Sequence, residues 1–340
     1  MRFLHTADWQ IGTQFGQFTA EEAAYLTEVR FEAVRRIAAL AAGRHVDAVI
    51  VAGDVFDQQT VSDTVIRKLF AALGAFSGPW FMLPGNHDAA LAESVWTRAV
   101  RLGCVPSNVN LLLEPGVLSF DELGASLLYA PLTQRNTYED TTDFFDRVET
   151  PAGHVRIGIA HGSVSGILQE GIDSANPLAP TRADTARLDY LVLGDWHGVY
   201  EVNPRIWYSG TPEQDRFRAN EPGFVLDVRI DAPGAVPQVE RVRVDKYRWS
   251  DPDAGHRGAE LGGSTSPVTR AAQRKRRAAR ARHGQRRTRG CASAPRRHRG
   301  NACACAAFID DGTQGLADRS GPRRARRAQR LSGECRRKAA

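Results

Sequence analysis

Residues 48–57 read AVIVAGDVFD, and residues 80–88 read WFMLPGNHD. Each is a short apolar run that stops at a turn signal and then delivers acid, amide or imidazole. Apolar runs of this length, bounded by glycine or proline, mark strands buried on both faces. The same phrasing recurs in RFLHTADWQ at 2–10, VRIGIAHG at 155–162 and YLVLGDWHG at 190–198. Between the first runs the spacing changes to helical. Ala24, Tyr25, Phe31, Val34, Ile37, Ala38 and Ala41 predict a helix over 21–42. Ser62 is a candidate N-cap for a helix over 63–73 that Gly74 stops, and a third helix over 93–102 ends at Gly103. Further strands are predicted at 110–113, 117–120, 126–129, 206–208, 223–230 and 238–244. Strand–helix–strand alternation followed by strand-rich text predicts an α/β protein with one large mixed sheet or two packed sheets.

The polar residues that could carry chemistry all stand just past strand ends. Asp8 and Gln10 follow the first strand, and Asp54 follows the second. Asn86, His87 and Asp88 follow the third, His161 follows the strand at 155–160, and Asp195 and His197 follow the strand at 190–193. In α/β sheets, ligands gather at the carboxyl ends of strands. A lone Gly-Asp is more often a turn than a ligand, and a lone buried histidine is more often a satisfied core residue. Five such events in order, each after an apolar strand, point instead to one metal centre. Oxygen donors mixed with imidazoles suit Mn, Fe or Zn better than Ca or Mg. Two such ions roughly 3.5–4 Å apart can polarise a phosphodiester and activate water for in-line attack. Asp54, alone on its turn, is the expected bridge. His5 reads as a core-facing or supporting strand residue, and His45 as a helix-end cation. Asp57 stays open between a supporting role and a solvated turn.

The 340 residues are 42% hydrophobic and 25% charged, a globular composition. No apolar run approaches the roughly 18–20 residues of a membrane helix. The start, MRFLHTADWQ, lacks the apolar stretch of a signal peptide, so a cytoplasmic location without membrane partners is expected. The net charge of +6 hides two populations. Residues 251–340 hold 23 Lys and Arg against 7 Asp and Glu, while residues 1–250 hold 22 against 32. All six Trp and all seven Tyr fall in the first population. A folded domain over 1–245 and an Arg/Ala/Gly-rich tail over 251–340 are therefore expected. The tail, with RKRRAARARHGQRRTRG at 274–290, has too few large apolar residues to offset chain entropy. It reads either as a basic arm for nucleic acid or as the out-of-frame product of a GC-rich gene. Cys303 and Cys305 with His298 lack a second ligand pair at zinc-site spacing. The acidic body argues against strong DNA binding by the first 250 residues alone.

The set HTADWQIG, GDVFD, PGNHD, AHG and LGDWHG, in that order, resembles the calcineurin-like metallophosphoesterase superfamily. His5-Thr6-Ala7-Asp8-Trp9 and the late Tyr208-Ser209-Gly210-Thr211-Pro212 resemble its DNA repair exonuclease branch, that of the SbcD subunits of SbcCD nucleases. Protein phosphatases of the superfamily carry Arg-Gly where Gln58-Gln59 stands here. The resemblance covers about residues 1–245. It implies a two-sheet β-sandwich flanked by helices with a dinuclear centre at one edge. It implies Asp8, position 10 and His197 on one metal, Asn86, His161 and position 195 on the other, and Asp54 between them. His87 would face the phosphate as general acid or charge stabiliser, with Asp88 orienting its imidazole. The implied partners are DNA, an SMC-like coiled-coil ATPase and a second copy of the chain. Two positions depart from the family pattern: Gln10 and Asp195 stand where histidines are usual. Both keep oxygen donors, which makes the site harder and shifts its preference toward Mn or Mg. Three readings follow: an Mn-dependent DNA exo- or endonuclease subunit, a catalytically weakened scaffold that binds DNA ends or an ATPase, and a small-molecule phosphodiesterase.

The composition break gives a direct test. Limited proteolysis is expected to trim the chain from about Asp251 and leave a stable fragment that contains residues 1–245. Loss of the fold on truncation there would show that the tail contributes to the core.

Overall fold

The computed structural model describes residues 1–167, 175–216 and 220–249; the 251–340 tail and its cysteines lie outside the described residues. The strands in chain order begin with β1 (Arg2–Thr6), β2 (Ala48–Ala52), β3 (Trp80–Leu83), β4 (Val109–Leu111), β5 (Gly116–Phe120), β6 (Ala125–Ala130) and β7 (Val155–His161). They continue with β8 (Ser163–Val164), β9 (Pro177–Leu178), β10 (Tyr190–Gly194), β11 (Tyr200–Asn203), β12 (Ile206–Tyr208), β13 (Phe224–Arg229) and β14 (Gln238–Arg243). The helices are α1 (Ala20–Arg44), α2 (Asp63–Ala72), α3 (Val95–Arg101) and the short α4 (Arg182–Thr185).

Two six-stranded sheets form, in the orders β14-β13-β1-β2-β3-β4 and β11-β12-β10-β7-β6-β5. In the first, β1 to β4 run parallel, β13 runs antiparallel to β1, and β14 runs antiparallel to β13. In the second, β6, β7, β10 and β12 run parallel, with antiparallel β5 and β11 at the edges. Of the two architectures the alternation allowed, the chain takes two packed sheets. Phe3, Ile50, Phe81, Leu127, Ile157, Ile159 and Val192 fill the space between them. Leu4, Val49, Val51 and Met82, on the opposite face of the first sheet, pack against Val34 and Ile37 of α1 and Ile66 and Leu69 of α2. Burial on both faces is why these strands read as continuous apolar runs.

The helix boundaries follow from capping. Thr19 and Glu22 form a capping box at the start of α1, which ends at His45 in the left-handed region. Ser62 caps α2 by accepting from the Val65 amide, as its sequence position predicts. Among the described residues, no helix is long and apolar enough to cross a membrane.

A polar link at His5 crosses the sandwich. His5 of β1 is fully buried and lies 3.0 Å from the Leu193 carbonyl through Nε2 and 3.1 Å from the Tyr190 hydroxyl through Nδ1. A carbonyl only accepts, so Nε2 carries the proton and Nδ1 accepts from Tyr190. Both partners belong to β10 of the other sheet. Protonating Nδ1 would set two donors against each other. Burial pushes this imidazole down to about 3, only partly opposed by the Leu193 carbonyl. The unfolded chain takes up a proton near pH 6.5, while the folded chain waits until about 3. The contribution is thus fully present above pH 6.5 and is lost as pH falls toward 3, at about 1.4 kcal/mol per pH unit. Urea unfolding in EDTA at pH 7, 6 and 5 is expected to show this acid slope in wild type and a shallower one in His5→Gln. Equal slopes would mean that His5 is already charged in the fold.

Candidate metal centre

The parallel strands of both sheets deliver their carboxyl ends to one edge, and backbone bonds zip the turns there together. The Asp8 amide donates to the Gly53 carbonyl at 3.0 Å and the Gln10 amide to the Asp54 carbonyl at 3.0 Å. The Gly162 amide reaches the Gly194 carbonyl at 3.2 Å. Asp8, Gln10, Asp54 and Asp195 all sit at positive φ, at 54°, 52°, 51° and 105°. Such conformations cost on the order of 1–3 kcal/mol each and persist where the surroundings over-determine them. Two glycines allow the approach. A Cβ at Gly53 would stand 2.1 Å from His161 Nδ1, and one at Gly85 would stand 2.3 Å from Asp54 Oδ1.

Asp54 lies at the middle of the side-chain arrangement. Its Oδ1 accepts from the His87 amide at 2.9 Å and lies 3.6 Å from His161 Nε2. Its Oδ2 accepts from Gln10 Nε2 at 2.8 Å and lies 4.0 Å from His87 Nε2. His161 donates from Nδ1 to the Ala52 carbonyl at 2.8 Å, which turns Nε2 toward Asn86 Oδ1 at 2.9 Å and Asp195 Oδ1 at 3.9 Å. The Asp8 carboxylate accepts from the Asp195 amide at 3.1 Å. Ligand atoms of Asp8, Asp54 and His161 all lie within 4.8 Å of one another. All three residues are buried.

The electrostatics follow from that crowding. Burial pushes the Asp8 carboxyl up to about 6; His197 and His161 oppose the rise, while Asp54 and Asp195 add to it. Burial likewise raises Asp195. Burial alone would lower His161, but Asp54, Asp8 and Asp195 outweigh it and push it up to about 9. Several carboxylates converge where water is scarce, and the cluster therefore calls for positive charge. Hard oxygen donors with an imidazole nitrogen directed inward fit a divalent metal.

Two expected contacts are replaced. Asp88 does not orient His87. Its carboxylate accepts from the Phe56 amide at 3.0 Å and the Gly85 amide at 2.7 Å, pinning the turns after β2 and β3 to each other. Full burial and Asp54 push it up to about 7. The group on His87 Nδ1 is the Asp57 backbone carbonyl, at 2.8 Å, which gives Asp57 its supporting role. At Gln10, the amide nitrogen rather than the oxygen faces Asp54.

His197 brings in residues outside the sequence-predicted set. Its Nδ1 lies 2.8 Å from Asp215 Oδ2, and Arg216 closes on the same oxygen from Nη2 at 2.8 Å and Nε at 3.0 Å. Burial alone would raise Asp215, but the His197 bond and charge and the Arg216 bond hold its carboxyl well below the usual range. The only signal in the sequence was its place three residues after Tyr208-Ser209-Gly210-Thr211-Pro212.

A family model for calcineurin-like phosphoesterases matches residues 1–228. The chain belongs to that family. This phosphoesterase is 28% identical over 241 residues to the uncharacterized metallophosphoesterase YhaO of Bacillus subtilis (strain 168). That match covers 66% of this chain and 57% of the relative, so the chain spans little more than half of the relative's length. The crystal structure of TT1561 of Thermus thermophilus superposes with a TM-score of 0.44 at 14% identity, covering 72% of this chain and 98% of that one. Family membership supplies the coarse chemistry: divalent-metal binding and phosphoester hydrolysis, with Asp8, Asp54 and His161 forming a candidate site.

Elemental analysis tests the central carboxylate of this phosphoesterase. Asp54→Ala is expected to lower metal content below that of Asp8→Ala, because one group would serve two ions. Two metals per chain in Asp54→Ala would remove Asp54 from the bridging position.

Proposed function

We propose that this phosphoesterase is a DNA nuclease subunit of the DNA repair exonuclease branch, working with two Mn ions. The observation that carries the reading is the single carboxylate, Asp54, set between two groups of donors with His87 at its rim. The family resemblance would assign Asp8, Gln10 and His197 to one group and Asn86, His161 and Asp195 to the other. Oxygen donors predominate in this set, which favours Mn over softer ions. When bound, the two ions would polarise the phosphorus–oxygen bond and supply a strong nucleophile from water.

The chain's own residues do the rest. The His161 Nδ1 bond to Ala52 fixes its tautomer, and the Asp215 contact does the same for His197. The Asp57 carbonyl holds His87 Nδ1–H and leaves Nε2 directed at the site. The His87 side chain is one-third exposed, so substrate can reach it. An imidazolium there can donate the Nε2 proton to the departing alkoxide as the ester bond breaks. The starting Asp8-Trp9 motif and the Ser209-to-Pro212 turn support DNA as the substrate. The acidic composition of residues 1–250 supports reliance on partners for the grip on DNA: an SMC-like coiled-coil ATPase and a second copy of this chain.

A second reading rests on Gln10. Its donor contact to Asp54 presents an N–H where the first group needs a lone pair. A scaffold that binds DNA ends or the ATPase, with weak hydrolysis, is the consequence if that contact persists.

Metal content and turnover measured side by side separate the readings. His87→Ala is expected to keep its metals while Mn-dependent cleavage of DNA or a generic phosphodiester falls roughly 10²–10⁴-fold. Gln10→His is expected to keep activity and move metal preference toward softer ions. Full activity in His87→Ala would overturn the mechanism. Wild type that binds metal and cleaves neither substrate would establish the scaffold reading.

A further inference from the structure

The loop from Glu213 to Arg216 touches the metal centre on one side and the last described stretch of chain on the other. On the site side, Asp215 holds His197 Nδ1 at 2.8 Å, and Arg216 Nη2 lies 2.9 Å from the same nitrogen and 3.4 Å from Nε2. On the far side, the loop grips a strap, residues 246–249, that leaves the sheet after β14. Glu213 accepts from the Lys246 amide at 2.9 Å, the Tyr247 amide at 2.9 Å and Arg36 Nη2 at 3.0 Å. Gln214 pairs with Trp249 twice: Oε1 accepts from the Trp249 amide at 2.7 Å and Nε2 donates to its carbonyl at 3.1 Å. The same Nε2 reaches the Arg216 carbonyl at 2.9 Å.

Glu213 and Gln214 are 4% and 7% exposed, so these bonds are sheltered from water. The strap is also seated by packing. The Trp249 ring lies 6.0 Å from Phe15 and 5.4 Å from Phe18, centroid to centroid, beside Leu26 of α1. These contacts lie outside the two sheets, since β14 ends at Arg243. A buried carboxylate and a buried amide thus direct their polar atoms at the backbone of a segment over 30 residues away. Releasing the strap would orphan both groups, and the loop would have to reorganise around them. The first residue to feel that reorganisation is Asp215, which follows Gln214 directly.

We propose that Glu213 and Gln214 are positioning residues through which the docked strap sets the His197 side of the metal centre. The proposal rests on His197 as a metal ligand. Groups that orient a ligand from behind typically change metal affinity 10–100-fold when removed. Coupling is reciprocal: if the docked strap favours metal, metal must favour the docked strap. The docked strap is then a handle on the centre, and anything pulling on Trp249 would weaken metal binding without approaching the substrate.

The test uses the full chain and Mn alone. Calorimetric titration is expected to show one binding step weakened roughly 2–30-fold in Gln214→Ala and in Trp249→Ala, with the other step unchanged and Trp249→Phe close to wild type. In wild type, Mn is expected to slow amide hydrogen exchange at Lys246, Tyr247 and Trp249. In metal-free protein, the strap variants are expected to shift the His197 imidazole nitrogen resonances. Unaltered Mn affinity in folded variants, or strap exchange indifferent to Mn, would overturn the proposal. A wild type that binds no Mn would refute the metal reading of the site, and the His197 resonances alone would then decide the coupling. A folded, metal-binding chain that cleaves no DNA would refute the nuclease reading and leave the coupling intact.

Discussion

Burying negative charge is the constraint around which this molecule is arranged. Asp8 and Asp54 are buried, and Asp195 crowds the same edge, where few water molecules can solvate them. Their mutual repulsion is large at low dielectric unless positive charge lies among them. The fold answers locally with amide donors from His87 to Asp54 and from Asp195 to Asp8, and with inward-facing imidazoles. The amides orient the carboxylates, and the raised His161 imidazole offsets only part of their charge. A divalent cation would supply the rest, which is why the same residues make sense both as a cost to folding and as a binding site.

The architecture makes the crowding possible. Parallel strands in two sheets point their carboxyl ends the same way, so side chains far apart in sequence meet at one edge. Glycines at 53 and 85 let backbone pass where a methyl group would collide with His161 or Asp54. Asp88 spends its carboxylate on the two turns it joins and so stabilises the geometry from inside. His5 locks β1 to β10 beneath the same edge.

Much of this was legible because it is local. Apolar runs ending in Gly-Asp or Gly-Asn announce a buried strand and a polar turn without reference to the rest of the chain. Ser62 was readable as a cap for the same reason. What was not legible depends on contacts distant in sequence. Strand β11 is exposed along half its length and carries no apolar signature. The family resemblance paired Asp88 with His87, whereas the Asp88 carboxylate accepts from the Phe56 and Gly85 amides and His87 Nδ1 faces the Asp57 carbonyl. Asp215 has no strand before it and is recruited by a histidine 18 residues away. The choice between one sheet and two depends on which faces meet, which periodicity does not encode.

The bond from His161 to the Ala52 carbonyl has a meaning for assembly. It is made by the last residue of β7 to the last residue of β2, and so it joins the two sheets. Asp8, Asp54 and Asn86 stand before β6 in the chain, and His161, Asp195 and His197 stand at or after the end of β7. Neither segment alone holds the whole donor set. The donors converge only after both sheets have formed and docked, so the order of events in folding is written into the site: the cation can be captured only by a chain that has already found its partner faces. A chain cut between β6 and β7 would yield two pieces, each with strands of both sheets and only part of the donor set, and metal uptake on mixing them would report that the pieces had reassembled.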